Sequence, residues 1–159
     1  SRNLSSVKWK SCVNFYFEIK QKSLGNGLIG LLPGKNTVIN NIFFVSGIKS
    51  KITGAKQLLS VTVIDSKSLS NGELIDRVKY ELKKYCRINV IRLISQFNIT
   101  KSLPDLHDIS NTKTPSEFQI SDTIFLAGDH ELNPSLNAAI TSGEMSALQL
   151  IKVDKLNNP

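Results

Sequence analysis

Apolar and polar residues alternate through residues 11–19, with Val13, Phe15 and Phe17 on one side and Cys12, Tyr16 and Glu18 on the other, which predicts a β-strand that Trp9 anchors. The turn signal Gly25-Asn26-Gly27 leads into a short strand over 28–32, which Pro33-Gly34 closes. Asn40-Asn41 precedes an apolar run over 42–45, and after a polar loop over 47–54 comes the β-branched run 58–64. Strands joined by turns rather than helices predict a largely antiparallel sheet.

At Ser70 the period changes. Ser70 and Glu73 form a capping box, and Leu74, Ile75, Val78, Leu82 and Tyr85 then recur at helical spacing with Asp76, Lys79, Glu81 and Lys83 between them. This predicts an amphipathic helix covering the sheet, with Lys83, Lys84 and Arg87 suited to its C-terminal dipole. A strand over 90–100 follows, with Ile91, Leu93, Ser95, Phe97 and Ile99 on one face. Residues 103–117 hold Pro104 and Pro115 and read as an irregular connection containing His107. A short buried strand over 122–127 runs into Gly128-Asp129, Pro134-Ser135 starts a helix over 136–153, and 154–159 should fray.

Composition narrows the class. With 40% apolar and 21% charged residues in 159, the chain can build a core, and no apolar stretch reaches the length of a membrane span. The start, Ser1-Arg2-Asn3-Leu4, has neither a signal-peptide core nor an initiator Met, so the expectation is a soluble, cytoplasmic chain that begins inside a longer gene product. Cys12 and Cys86 belong to no metal-ligand spacing and read as reduced, buried thiols. The net charge of +7 is spread over Lys49, Lys51 and Lys56, over Lys79, Lys83, Lys84 and Arg87, and over scattered positions without interleaved aromatics. It reads as a solvated surface with no nucleic-acid partner, although a basic groove for an acidic substrate stays open.

Residues 123–144 carry the chemistry. A strand ends in Gly128-Asp129, a loop follows, and the helix begins among small residues. Free amides at a helix N-terminus stabilise phosphate or an electron-rich ring edge. Ala138, Ala139, Ser142 and Gly143 leave one helix face with little bulk, able to lie against a backbone or a flat ring. The same features also suit ordinary strand-loop-helix packing.

In order, Ala127-Gly128-Asp129 and Ser135-Leu136-Asn137-Ala138-Ala139-Ile140-Thr141-Ser142-Gly143 resemble the C-terminal flavin-binding motif of the FAD-dependent amine-oxidase-like and phytoene-desaturase-like superfamily. More loosely, residues 14–17, 40–42 with Ser46, 58–61, and Ile99 with Leu103-Pro104 resemble the substrate-domain portion that precedes this motif. The resemblance implies an α+β chain: residues 1–117 from a substrate-domain sheet with a covering helix, and 118–153 the closing strand and helix of a Rossmann-like FAD domain. It implies FAD contacts at Gly128, Asp129, Ser135, Leu136, Asn137 and Ala138, with Asp129 near the ribityl and diphosphate and the amides around Leu136 and Asn137 near the pyrimidine edge.

Two departures shape the expectation. Gly25-Asn26-Gly27-Leu28-Ile29-Gly30 has the letters of the GxGxxG dinucleotide fingerprint but sits in a hairpin setting, so the chain alone should bind FAD weakly or not at all. The loop His130-Glu131-Leu132-Asn133-Pro134 lacks the Tyr or Trp of an amine cage, which favours a small apolar organic substrate. His130 is the candidate for proton transfer, and no metal site is expected. Whether this chain alone is an enzyme stays open. The alternative is a non-catalytic ligand-binding or interaction module that retains the fold without cofactor.

Overall fold

Phe15, Phe17, Leu59, Val61 and Val63 are fully buried, and strand register explains why. In the computed structural model, which describes residues 7–20, 28–32, 34, 36–48, 57–64 and 69–157, β1 (Trp9–Ile19) pairs antiparallel with β4 (Gln57–Ile64), setting Phe15 opposite Val61 and Phe17 opposite Leu59. β3 (Ile39–Phe44) pairs with the other edge of β4 and sets Ile42 and Phe44 against the same two residues. β2 (Ile29–Leu31) adds to β3, and β5 (Val90–Pro104) adds to β1, giving the order β2-β3-β4-β1-β5. The fold is α+β, with an antiparallel five-stranded sheet and two α-helices among the described residues. The expected turn at Gly25-Asn26-Gly27, Pro33, and residues 49–54 lie outside the described residues.

Ile39 and Ile42 share the core face although they are an odd number apart. The register shifts between Ile39 and Asn41, so Asn40 is the extra residue of a bulge that restores the buried face. The amides at this end of β3 are met by a helix. α1 (Asn71–Cys86) opens on the expected capping box, Ser70 with Glu73, and buries Leu74, Val78 and Leu82 against the sheet. Glu81 is buried with them, correcting the expectation of a solvent-facing residue: its carboxylate accepts from Val38 N and Ile39 N at 3.0–3.1 Å and from Arg77 Nε at 2.7 Å. Two buried strand-end donors require an acceptor, and Glu81 supplies it. Tyr85, expected in the apolar stripe, is instead exposed.

β5 also departs from simple alternation. Leu93 packs toward the core and Gln96 bonds Asn71 at the start of α1, whereas Phe97 stacks edge-on against Tyr16 on the opposite face. Leu93 and Phe97 are an even number apart yet face opposite ways, so the alternation slips once between them. On this second face Arg92 Nε donates to Glu18 at 2.7 Å and Ser60 Oγ to Asn14 Oδ1 at 3.0 Å, while Ile29, Leu31 and Phe97 remain exposed.

By internal contacts the chain divides into two compact units, Ser11–Thr100 and Ser1–Lys10 with Lys101–Pro159. In the second, a 3-10 turn (Pro115–Phe118) leads into β6 (Gln119–Ser121), which pairs with β7 (Ile124–Phe125). Its core is Phe118, Leu132 and Ala138, with Met145 against them. The expected buried strand over 122–127 is shorter and more exposed: β7 has one ribbon partner, and Ile124 and Ala127 face solvent. α2 (Leu136–Asn157) passes the expected end at Val153 because no glycine or proline follows Val153 before Pro159. Among the described residues no helix is long and apolar enough to cross a membrane. Among the described residues neither Cys12, which is buried, nor Cys86, which is only half buried, forms a disulfide.

Candidate functional site

Gly128 has φ 146 and ψ 162, a conformation open essentially to glycine alone. The His130 ring fills the space where a β-carbon would project, 2.5 Å from that position, so the residue is fixed as glycine twice over. The close approach allowed at Gly128 is therefore taken up by the chain's own imidazole. Asp129–Glu131 form a 3-10 turn, closed by Glu131 N to Gly128 O and Leu132 N to Asp129 O, both at 3.1 Å.

Glu131 is buried beside this turn. Lys113 Nζ lies 3.4 Å from one carboxylate oxygen and His130 Nε2 3.5 Å from the other. Lys113 also sits 5.8 Å from the centroid of the Phe118 ring, which ties the turn to the small core. This arrangement gives His130 a packing role. It rests on Gly128 and points its Nε2 at Glu131.

The chain reaches α2 through a braced loop. Ser110 N donates to Leu132 O at 2.9 Å, and Asn133 Nδ2 donates to Ser110 O at 3.1 Å. Ser135 then caps the helix: its hydroxyl accepts from Ala138 N and its carbonyl from Ala139 N, each at 3.1 Å. Two first-turn amides are thereby consumed. Among the described residues, the N–H groups of Leu136 and Asn137 meet no acceptor in the chain, and both residues are exposed. The Asp129 carboxylate likewise has no partner among the described residues.

α2 packs inward through Ala138, Ser142, Ser146 and Gln149, an unusually polar stripe for a buried helix face. Ser142 Oγ accepts from Gly128 N at 2.8 Å, Ser146 Oγ donates to Leu126 O, and Gln149 Nε2 donates to Gln119 Oε1 at 2.7 Å. The small-residue face thus lies against a backbone, that of Leu126–Gly128. Its other half is open, because a β-carbon added at Gly143 would meet nothing within 4 Å. The helix also turns Leu136, Ile140, Leu150 and Ile151 to solvent, Leu136 at 77% exposure.

The candidate residues therefore fall into three groups. Gly128 and His130 form one packed unit, and Ser135 and Ala138 are spent on the helix cap, Ala138 also buried at 4% exposure. Leu136 and Asn137 are exposed and keep uncommitted amides, and Asp129, of intermediate burial, keeps a carboxylate with no partner among the described residues. Sequence reasoning missed Lys113 and Glu131 as the brace of the turn. It also missed the capping box at Thr114, although Thr114-Pro115-Ser116-Glu117 carries the signal openly. Gly30 lies within β2, and among the described residues the first α-helix begins at Asn71, so this glycine opens no strand-helix unit. Among the described residues no group of His, Cys, Asp and Glu side chains is placed to hold a metal. The chain matches no protein-family model and no curated protein.

Proposed function

We propose that this chain is the C-terminal part of a cytoplasmic FAD-dependent oxidoreductase, amine-oxidase-like or desaturase-like, that supplies part of the flavin site and one wall of the substrate pocket. The observation that carries the reading is the set of groups left unbonded. Within a segment whose order resembles a flavin motif, Asp129 and the Leu136 and Asn137 amides remain available while the neighbouring donors are spent internally. Two amides at a helix N-terminus fit the pyrimidine edge of a flavin, where negative charge builds on reduction. The bound flavin would carry the redox step, and this chain would contribute orientation and electrostatics.

The second face of the sheet supports an apolar substrate. Tyr16, Phe43 and Phe97 lie there with Ile29 and Leu31, and the Glu18–Arg92 pair is its charged border. The dinucleotide fingerprint would come from elsewhere in the gene product. The non-catalytic alternative draws support from His130, whose ring already occupies the space at Gly128.

Leu136→Pro separates the two readings. Proline is tolerated at the first helical position but removes one proposed flavin donor. The gene product carrying the variant should melt like the parent and hold FAD on the order of 10- to 100-fold more weakly, the loss expected for one charge-assisted hydrogen bond. Unchanged FAD retention counts against the assignment.

A further inference from the structure

The solvent face of α1 carries a second feature, independent of the flavin reading. Leu74, Val78, Glu81 and Leu82 bury one side of this helix, so Lys79, Tyr80, Lys83 and Lys84 fall on the other. The Lys84 ammonium lies 5.3 Å from the ring centroid of Tyr80 and 5.1 Å from that of Tyr85, and Arg77 lies 5.8 Å from Tyr80. Both tyrosines are about half exposed, at 51% and 48%. Lys79, Lys83 and Lys84 form no ion pair with a carboxylate among the described residues. Asp76 is the acidic residue on this face one turn earlier, and Glu73 is engaged by Ser70.

We propose that the C-terminal half of α1 docks on an anionic membrane surface, with Lys79, Lys83 and Lys84 meeting the headgroups and Tyr80 and Tyr85 lying at headgroup level. Charge complementarity carries the choice of partner: three lysines that form no ion pair with a carboxylate among the described residues lie on this face, and one of them, Lys84, lies against the amphipathic Tyr80 and Tyr85 rings, on a chain of net charge +7. The surface is a convex helix face, which suits a flat anionic layer. Nucleic-acid stacking is disfavoured because the rings are already engaged by Arg77 and Lys84. Hydrogen bonds to the Tyr80 and Tyr85 phenols also raise the Lys84 pKa.

The test is co-sedimentation of the chain with phosphatidylcholine vesicles, with and without phosphatidylserine. Binding should require phosphatidylserine and fall as salt rises. Lys79→Gln/Lys83→Gln/Lys84→Gln should weaken it on the order of 100-fold, about fivefold per lysine, with an unchanged far-UV spectrum. Lys101→Gln/Lys152→Gln/Lys155→Gln removes the same charge elsewhere and should cost far less. Equal loss in both triple variants overturns the proposal, as does indifference to phosphatidylserine. Binding to a single-stranded oligonucleotide or an acidic polypeptide without vesicle binding overturns it as well. If the first triple variant fails to fold, Tyr80→Ser/Tyr85→Ser in the intact helix supplies the decision: undiminished vesicle binding contradicts the assigned face.

Discussion

Ser142 Oγ accepts a hydrogen bond from Gly128 N–H at 2.8 Å and donates one to Ala139 O at 2.9 Å. One hydroxyl thus fixes the Gly-Asp turn to the second turn of the helix that follows it. Ser142→Ala strands a buried donor and should cost about 1–3 kcal/mol. Amide exchange at Gly128 should quicken in the variant, and unchanged protection there would show that the bond does not hold the turn.

Gly128→Ala meets two obstacles, the positive φ and the His130 ring. The backbone strain alone should cost about 1–3 kcal/mol. Adding His130→Ala removes the collision but not the strain, so the double variant should recover part of the lost thermal stability. Full recovery would mean that the backbone conformation is not under constraint.

Gly143→Ala behaves differently. Its added methyl enters open space within a helix, where alanine is better than glycine by about 1 kcal/mol. The chain should melt higher. If the proposed flavin packs on this face, the same methyl would project toward it, so FAD content of the gene product should fall as the isolated chain gains stability.

Much of this architecture is legible in the sequence, and the failures have physical causes. β1, β4 and the capping box of α1 follow from alternation, from a β-branched run and from a local hydrogen-bond pattern, which need no tertiary information. Glu81 reads as a surface residue because nothing in its own helix says that Val38 and Ile39 present unpaired amides across the fold. The Asn40 bulge and the slip in β5 each break a period at a single residue, where the neighbouring strand decides the register. In the candidate site the residue order singles out the segment only by its resemblance to a flavin motif. Which of its amides remain free depends on the Ser135 cap, which consumes those of Ala138 and Ala139.

Glu81→Leu should lower the urea midpoint without changing the slope, since it strands the Val38 and Ile39 donors at about 1–3 kcal/mol each. Glu81→Gln keeps an acceptor oxygen and should lose less. Equal effects would mean that the carboxylate contributes shape alone.

The capping box adds an acid-sensitive contribution. The Ser70 hydroxyl, then its amide, hold the Glu73 carboxyl below its ordinary pKa. A folded-state pKa below the unfolded one stabilises the fold above the unfolded value, and that contribution is lost as pH falls through the folded value. In a carboxyl NMR titration Glu73 should titrate below the ordinary Glu range, and Ser70→Ala should move it back up. An unmoved Glu73 would rule out the cap as the cause.

The proposed flavin site is shared between this chain and the rest of its gene product. Its most direct test is the visible absorbance of that gene product as purified, followed by analysis of what it releases on denaturation. With such a site the protein should show the two absorption bands of an oxidised flavin and release FAD. A colourless protein that releases no FAD, and that acquires no bands when FAD is added, would contradict it.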